Sequence, residues 1–152
     1  MAIGRELIYS ALFDLLQQNL LAPAGPFAFG SRRYRPASQT GTSNFPAFYL
    51  IRGREDYRRD VLYGPATVRL TAHVRIQSVI GDDPNAVTET QMNHLADAVE
   101  NVIENYGGTL GTHTLSGLVQ VIQMKGTQLI VDASGMGRFS EQTVVIEMMT
   151  NH

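Results

Sequence analysis

TVRLTAHVRIQSVIGDDPNAVTETQMNHLADAVENVIENY, residues 67–106, holds a strand, a stop and a helix in succession. In its first part Val68, Leu70, Ala72, Val74 and Ile76 point one way and Arg69, Thr71, His73, Arg75 and Gln77 the other. That is a strand with one covered face and one wet or partner-facing face. Asp83 then offers an N-cap carboxylate, and Pro84 suits the first helical position, where its missing N–H loses no bond. Thr88 and Gln91 supply a later capping box. Met92, Leu95, Ala96, Val99, Val102, Ile103 and Tyr106 recur at helical spacing, so this helix lies on the sheet, and Gly107-Gly108 ends it.

Outward from this stretch the pattern is of the same kind. Leu7, Ile8, Ala11, Leu12, Leu15 and Leu16 form one face of a first helix over about residues 4–20, which Pro23 and Gly25 close. Residues 22–45 are irregular, with Pro23, Pro26, Pro36 and a Ser/Thr-rich run, and allow one short strand at 27–34. A connection of this length is usually functional or ordered by a partner. Residues 45–51 read as a buried strand apolar on both faces, and 53–64 as a charged loop that Pro65 leaves. The C-terminal part reads as three strands, about 118–124, 127–131 and 142–150, punctuated by Gly126 and by Gly135 and Gly137. The expected fold class is α+β: a single mixed, mainly antiparallel sheet with two α-helices packed on one face.

Length and composition bound the function. At 152 residues and 43% hydrophobic content the chain can bury one ordinary core, so a single domain over 1–152 is expected, with 22–45 as its irregular, partner-ordered segment. The absence of cysteine removes disulfide and thiolate chemistry and fits a reducing compartment. The first helix lacks the basic lead and cleavage pattern of a signal peptide, and no stretch nears the roughly 20 apolar residues that cross a bilayer. A soluble, unexported protein is the expectation.

Charge is nearly balanced, at −2, but unevenly spread. The window 32–60 sums to +4 through Arg32, Arg33, Arg35, Arg52, Arg54, Arg58 and Arg59, and the remainder to −6. Residues 82–104 carry six acids, Asp97, Glu100 and Glu104 among them, and no Lys or Arg. Eleven of the twelve basic residues are Arg, the side chain suited to fixed, bidentate pairing. The arginines fit three roles: a solvated loop, a protein–protein contact, or a nucleic-acid patch with Tyr34 interleaved. A negative net charge and the lack of a nucleic-acid motif weigh against the last.

Reaction chemistry finds no foothold. His73 lies on a polar strand face, His94 on a solvated helix face without a second histidine at i+4, His113 in a small-residue loop and His152 at the end of the sequence. The run 107–111 follows a helix where a phosphate loop opens one, and it lacks the Gly-Lys-Ser/Thr ending. Ser116 sits in no nucleophile elbow, and Asp82-Asp83 and Glu55-Asp56 are adjacent pairs read as solvated. No catalytic residue, cofactor or metal is expected.

The order of elements, with Arg5 in the first helix, Pro46-Ala47 opening a strand, 67–77, 92–102 and Leu115-Ser116-Gly117 before the last sheet segment, resembles the tail terminator proteins of long-tailed bacteriophages, the minor tail protein U type. The resemblance spans about residues 3–150. It implies a non-enzymatic virion protein at the head-proximal end of the tail, assembled in the host cytoplasm. Such proteins form a homo-oligomeric ring, a hexamer, that caps the tail tube, ends its polymerisation and presents the surface for head joining. The implied partners are the tail tube protein, the head–tail connector or neck protein, and genomic DNA passing through the ring without sequence-specific binding; no membrane is involved. Another head–tail junction protein and a small nucleic-acid-binding module stand as alternatives. A closed ring needs two complementary patches per subunit, and the basic segments meeting a neighbour's acidic helix are the expected pair.

Overall fold

The computed structural model describes residues 4–79, 88–106, 115, 117–131 and 139–151. Helix α1 spans Arg5–Leu20 and strand β1 Phe29–Ser31; two single 3-10 turns then lead to β2 at Ala47–Arg59 and β3 at Ala66–Val79. Helix α2 spans Thr88–Tyr106, and β4 (Val121–Val131) and β5 (Phe139–Asn151) complete the chain. The five strands form one sheet in the order β1-β2-β3-β5-β4, with β1 parallel to β2 and every other pair antiparallel. The α+β architecture read from the pattern is the observed one.

Both helices cover the same face. Ile8, Tyr9, Leu12, Leu16 and Leu20 of α1 and Met92, Leu95, Val99, Val102 and Ile103 of α2 are buried against Phe48, Leu50, Val68, Leu70, Ala72, Val74, Ile76, Val144, Ile146 and Met148. The spacing explains the arrangement: i, i+4, i+8 positions make one helix stripe, and every second strand residue meets it. Each large aliphatic side chain buried here stabilises by roughly 1.5–3 kcal/mol. Phe27 stands edge-on to Phe48 at 5.3 Å and seals the β1 end of the core.

Three expectations need correction. Residues 53–59 are not loop but the second half of β2, which pairs with β3 as far as Arg59↔Ala66, so the connection is a turn of residues 60–65. Apolar alternation reports burial, and this half of β2 has a strand on one side only; its charged sequence hid its extended backbone. The two strands expected at 118–124 and 127–131 are one, Val121–Val131. Lys125-Gly126 is a bulge, with Met124 opposite Ile146 and Gly126 opposite Val145, and the strand begins at Val121. The strand expected at 27–34 is only Phe29–Ser31. The Asp83-Pro84 cap, 107–111, His113, Ser116 and His152 lie outside the described residues.

Candidate assembly surfaces

The bulge in β2 decides which way its charges point. Before it, Arg52 pairs with Ala72, and after it Glu55 pairs with Leu70, so one extra residue is absorbed around Gly53 and Arg54. Glu55 and Tyr57 therefore face the helix layer, where Arg5 of α1 donates to Glu55 Oε2 at 2.7 Å and to the Tyr57 hydroxyl. That partner raises the Arg5 pKa above its ordinary value. Asp56 and Arg58 face the other side. There they line an open depression of about 430 Å³ with Asp60, Thr67, Arg69 and Met149. Two carboxylates and two guanidiniums give that depression a mixed-charge lining.

Of the seven arginines singled out by sequence, Arg32 and Arg33 follow β1 and Arg52, Arg54, Arg58 and Arg59 lie on β2, while Arg35 crosses towards β3, where its carbonyl meets Gln77. Arg32 pairs with Glu6 at 2.5 Å and holds that carboxyl below its usual range. Arg54 pairs with Asp56 at 2.9 Å and Arg58 with Asp60 at 3.3 Å, while Arg59 donates to the Gly64 carbonyl at 2.6 Å. Arg33, Arg35 and Arg52 are exposed. Asp97, Glu100 and Glu104 are exposed on α2, which packs over β3, β5 and β4, and they make no ion pair among the described residues. The two charge sets thus occupy opposite lateral sides of one sheet. Within a subunit they do not meet.

The helix-free face holds what sequence reasoning missed. Glu141 and Glu147 of β5 are only 6% and 7% exposed. Glu147 lies 3.6 Å from both Arg69 and Lys125 and accepts from Gln123 at 3.2 Å. Glu141 accepts from Tyr34 at 3.0 Å and faces Arg75 at 4.0 Å, and Arg75 stacks over the Tyr34 ring. Their parity within β5, opposite Gln77 and Thr71, was the available signal. Beside them, Gln77 is fully buried; it donates to the Arg35 carbonyl at 2.8 Å and accepts from Thr40 at 2.9 Å. Thr40 also meets the Tyr49 hydroxyl at 2.7 Å. These bonds tie residues 34–40 across the end of the face near Ala47 and Gln77. His73, on the strand face read as wet or partner-facing, is half-buried, and burial first and then Arg75 pull its pKa down.

A further feature stands at the β2–β3 turn. Val61, Leu62 and Tyr63 are 68%, 81% and 93% exposed, and Tyr63 adopts a left-handed backbone at φ 63°. An apolar triplet between Asp60 and Gly64 was visible in the sequence, inside a segment read as charged loop. Among the described residues no group of three or more His, Cys, Asp or Glu is placed to hold a metal, and no helix is long and apolar enough to cross a membrane.

No protein-family model matches the chain, and no curated protein matches it. Among solved structures it is similar to a chain in the virion of a native gene transfer agent particle. The two share 13% identity, a TM-score of 0.59 and 95% of each chain. At that identity the likeness is one of fold.

Proposed function

We propose that the chain is a structural subunit of a phage-like virion, a ring-forming terminator that caps the tail tube, stops its growth and offers the surface to which the head joins. The observation that carries this is the lateral charge split: arginines beside β1 and along β2 on one side, and on the other exposed carboxylates of α2 that make no ion pair among the described residues. Complementary patches on opposite flanks of one subunit make a head-to-tail contact, which closes into a ring when the rotation per subunit allows. Likeness to a chain of a gene transfer agent virion over nearly the full length supports the same setting. The partners on this reading are identical copies, the tail tube subunit and the head-side connector, with DNA passing through the ring.

The nucleic-acid alternative draws on Tyr34, whose ring lies under Arg75 and whose hydroxyl donates to Glu141, and the helix-free face adds little to it. Arg69, Arg75 and Lys125 already face the buried Glu141 and Glu147, so few cations there remain to neutralise phosphates. The test is negative-stain imaging and native mass measurement of the purified protein, alone and with tail tubes. A six-fold ring seated on one tube end is expected. A monomer at all concentrations that leaves tubes uncapped refutes the proposal.

A further inference from the structure

Six of the seven exposed large apolar side chains among the described residues belong to one end of the strands. Val61, Leu62 and Tyr63 form the β2–β3 turn there, and Tyr57 enters it. Leu7 lies in the first turn of α1, the turn whose Arg5 reaches Glu55 and Tyr57. Leu118 precedes β4 where Gln120 donates to the Met149 carbonyl, at the same end of β5. Val79 alone stands at the other end.

Val61, Leu62 and Tyr63 are consecutive and exposed, and adjoining apolar side chains of this kind mark an interaction surface, whereas scattered ones such as Val79 do not. The turn's backbone points the same way. A bulky side chain in the left-handed region is unfavourable, and such strain persists where function requires it. Glycine at this position removes the strain, yet the chain places a tyrosine there with its ring almost wholly in water.

We propose that this end of the sheet is a docking face for a different protein, one presenting an apolar socket rimmed by carboxylates. Resting on the function proposed above, that protein is the terminal ring of the tail tube. Direction supports the assignment. The lateral charge patches lie across the strands and serve neighbours in the ring, whereas the turn projects along the strands, away from those neighbours. Charge supports it as well. Arg58 and Arg59 lead into the triplet and outnumber Asp60, which pairs with Arg58 and is itself 81% exposed, so the rim keeps a net positive charge that carboxylates on the partner complement. A second copy is a poor occupant. The exposed acids of α2 have no cluster of exposed apolar side chains beside them among the described residues, so no other charged patch of this chain offers the apolar socket that the turn needs.

The test compares the full chain with a Leu62→Ser/Tyr63→Gly variant, which removes two exposed side chains and relaxes the turn, so its thermal midpoint stays at or above that of the parent. Ring formation is read by native mass, and capping by sedimentation with tail tubes, with purified connector and with anionic lipid vesicles in parallel. The expected result is rings from both proteins and tube capping weakened at least tenfold in the variant, the loss typical of a central anchor. Equal capping by both, or a loss confined to connector or vesicle binding, overturns this inference while leaving the ring proposal standing. Rings of the parent that never engage tubes overturn both.

Discussion

Tyr9 and His73 show how far single side chains here are governed by their surroundings. The Tyr9 ring is buried under α1, and its hydroxyl donates to the Thr71 carbonyl at a long 3.4 Å. Burial first, and then the Glu55 carboxylate, push its pKa up to about 12. The folded state thus favours the neutral phenol, and that contribution is complete below pH 10 and lost as pH rises towards 12. Tyr9→Phe is expected to flatten the alkaline limb of a stability-versus-pH curve at a cost near pH 7 of about 1 kcal/mol or less, since the bond removed is weak. Chemical denaturation at pH 7 and pH 11 measures both. His73 works in the opposite sense. Burial and Arg75 lower its pKa, so below about pH 6.5 the unfolded chain takes up a proton that the folded one resists, and stability falls on acidification. His73→Gln should remove that part of the acid slope, measured by denaturation between pH 7 and pH 5.

At the scale of elements, the β2 bulge is the point on which the surface depends, and Gly53 makes it possible. A Cβ there meets the His73 ring and comes within 2.8 Å of the Thr71 carbonyl, so backbone has to move. Gly53→Ala is expected to destabilise by about 1–3 kcal/mol, the range for forced overpacking, seen as a lower denaturation midpoint. It should also disturb the Arg5–Glu55 pair, which exists only because the bulge turns Glu55 towards α1. This residue marks the limit of what sequence made legible. Where one face is buried, as at 68–76 and 92–103, periodicity declared the element and its inward residues. At 53–59 both faces are polar, and at Lys125-Gly126 an extra residue mimics a turn, so burial left no trace of the strand. The arginines and acids of the candidate contact were legible as composition. Their placement on opposite flanks was not, because strand order β1-β2-β3-β5-β4 comes from long-range pairing that local sequence does not encode. Glu141 and Glu147 escaped notice for the same reason, since their cationic partners lie on β3 and β4.

For the whole molecule, the question is whether those flanks meet between copies. Pairing of Arg52 or Arg33 with Glu100 in a neighbour is a rim contact, and charges of this kind alter association rate and salt dependence more than they add affinity. The Debye length of about 8 Å at physiological ionic strength then makes ring formation weaken as salt rises. Reversing one side, Arg52→Glu, is expected to slow ring formation at low salt, and reversing the other as well, Glu100→Arg, to restore it in the double variant. Native mass and light scattering across a salt series report both. The absence of cysteine permits a sharper version. A single cysteine at Arg52 in one preparation and at Glu100 in another should cross-link only when the two are mixed, because a head-to-tail contact never sets a flank against its own copy. Disulfides that form within either preparation alone and not between them indicate a two-fold contact, and a two-fold contact cannot by itself propagate around a ring.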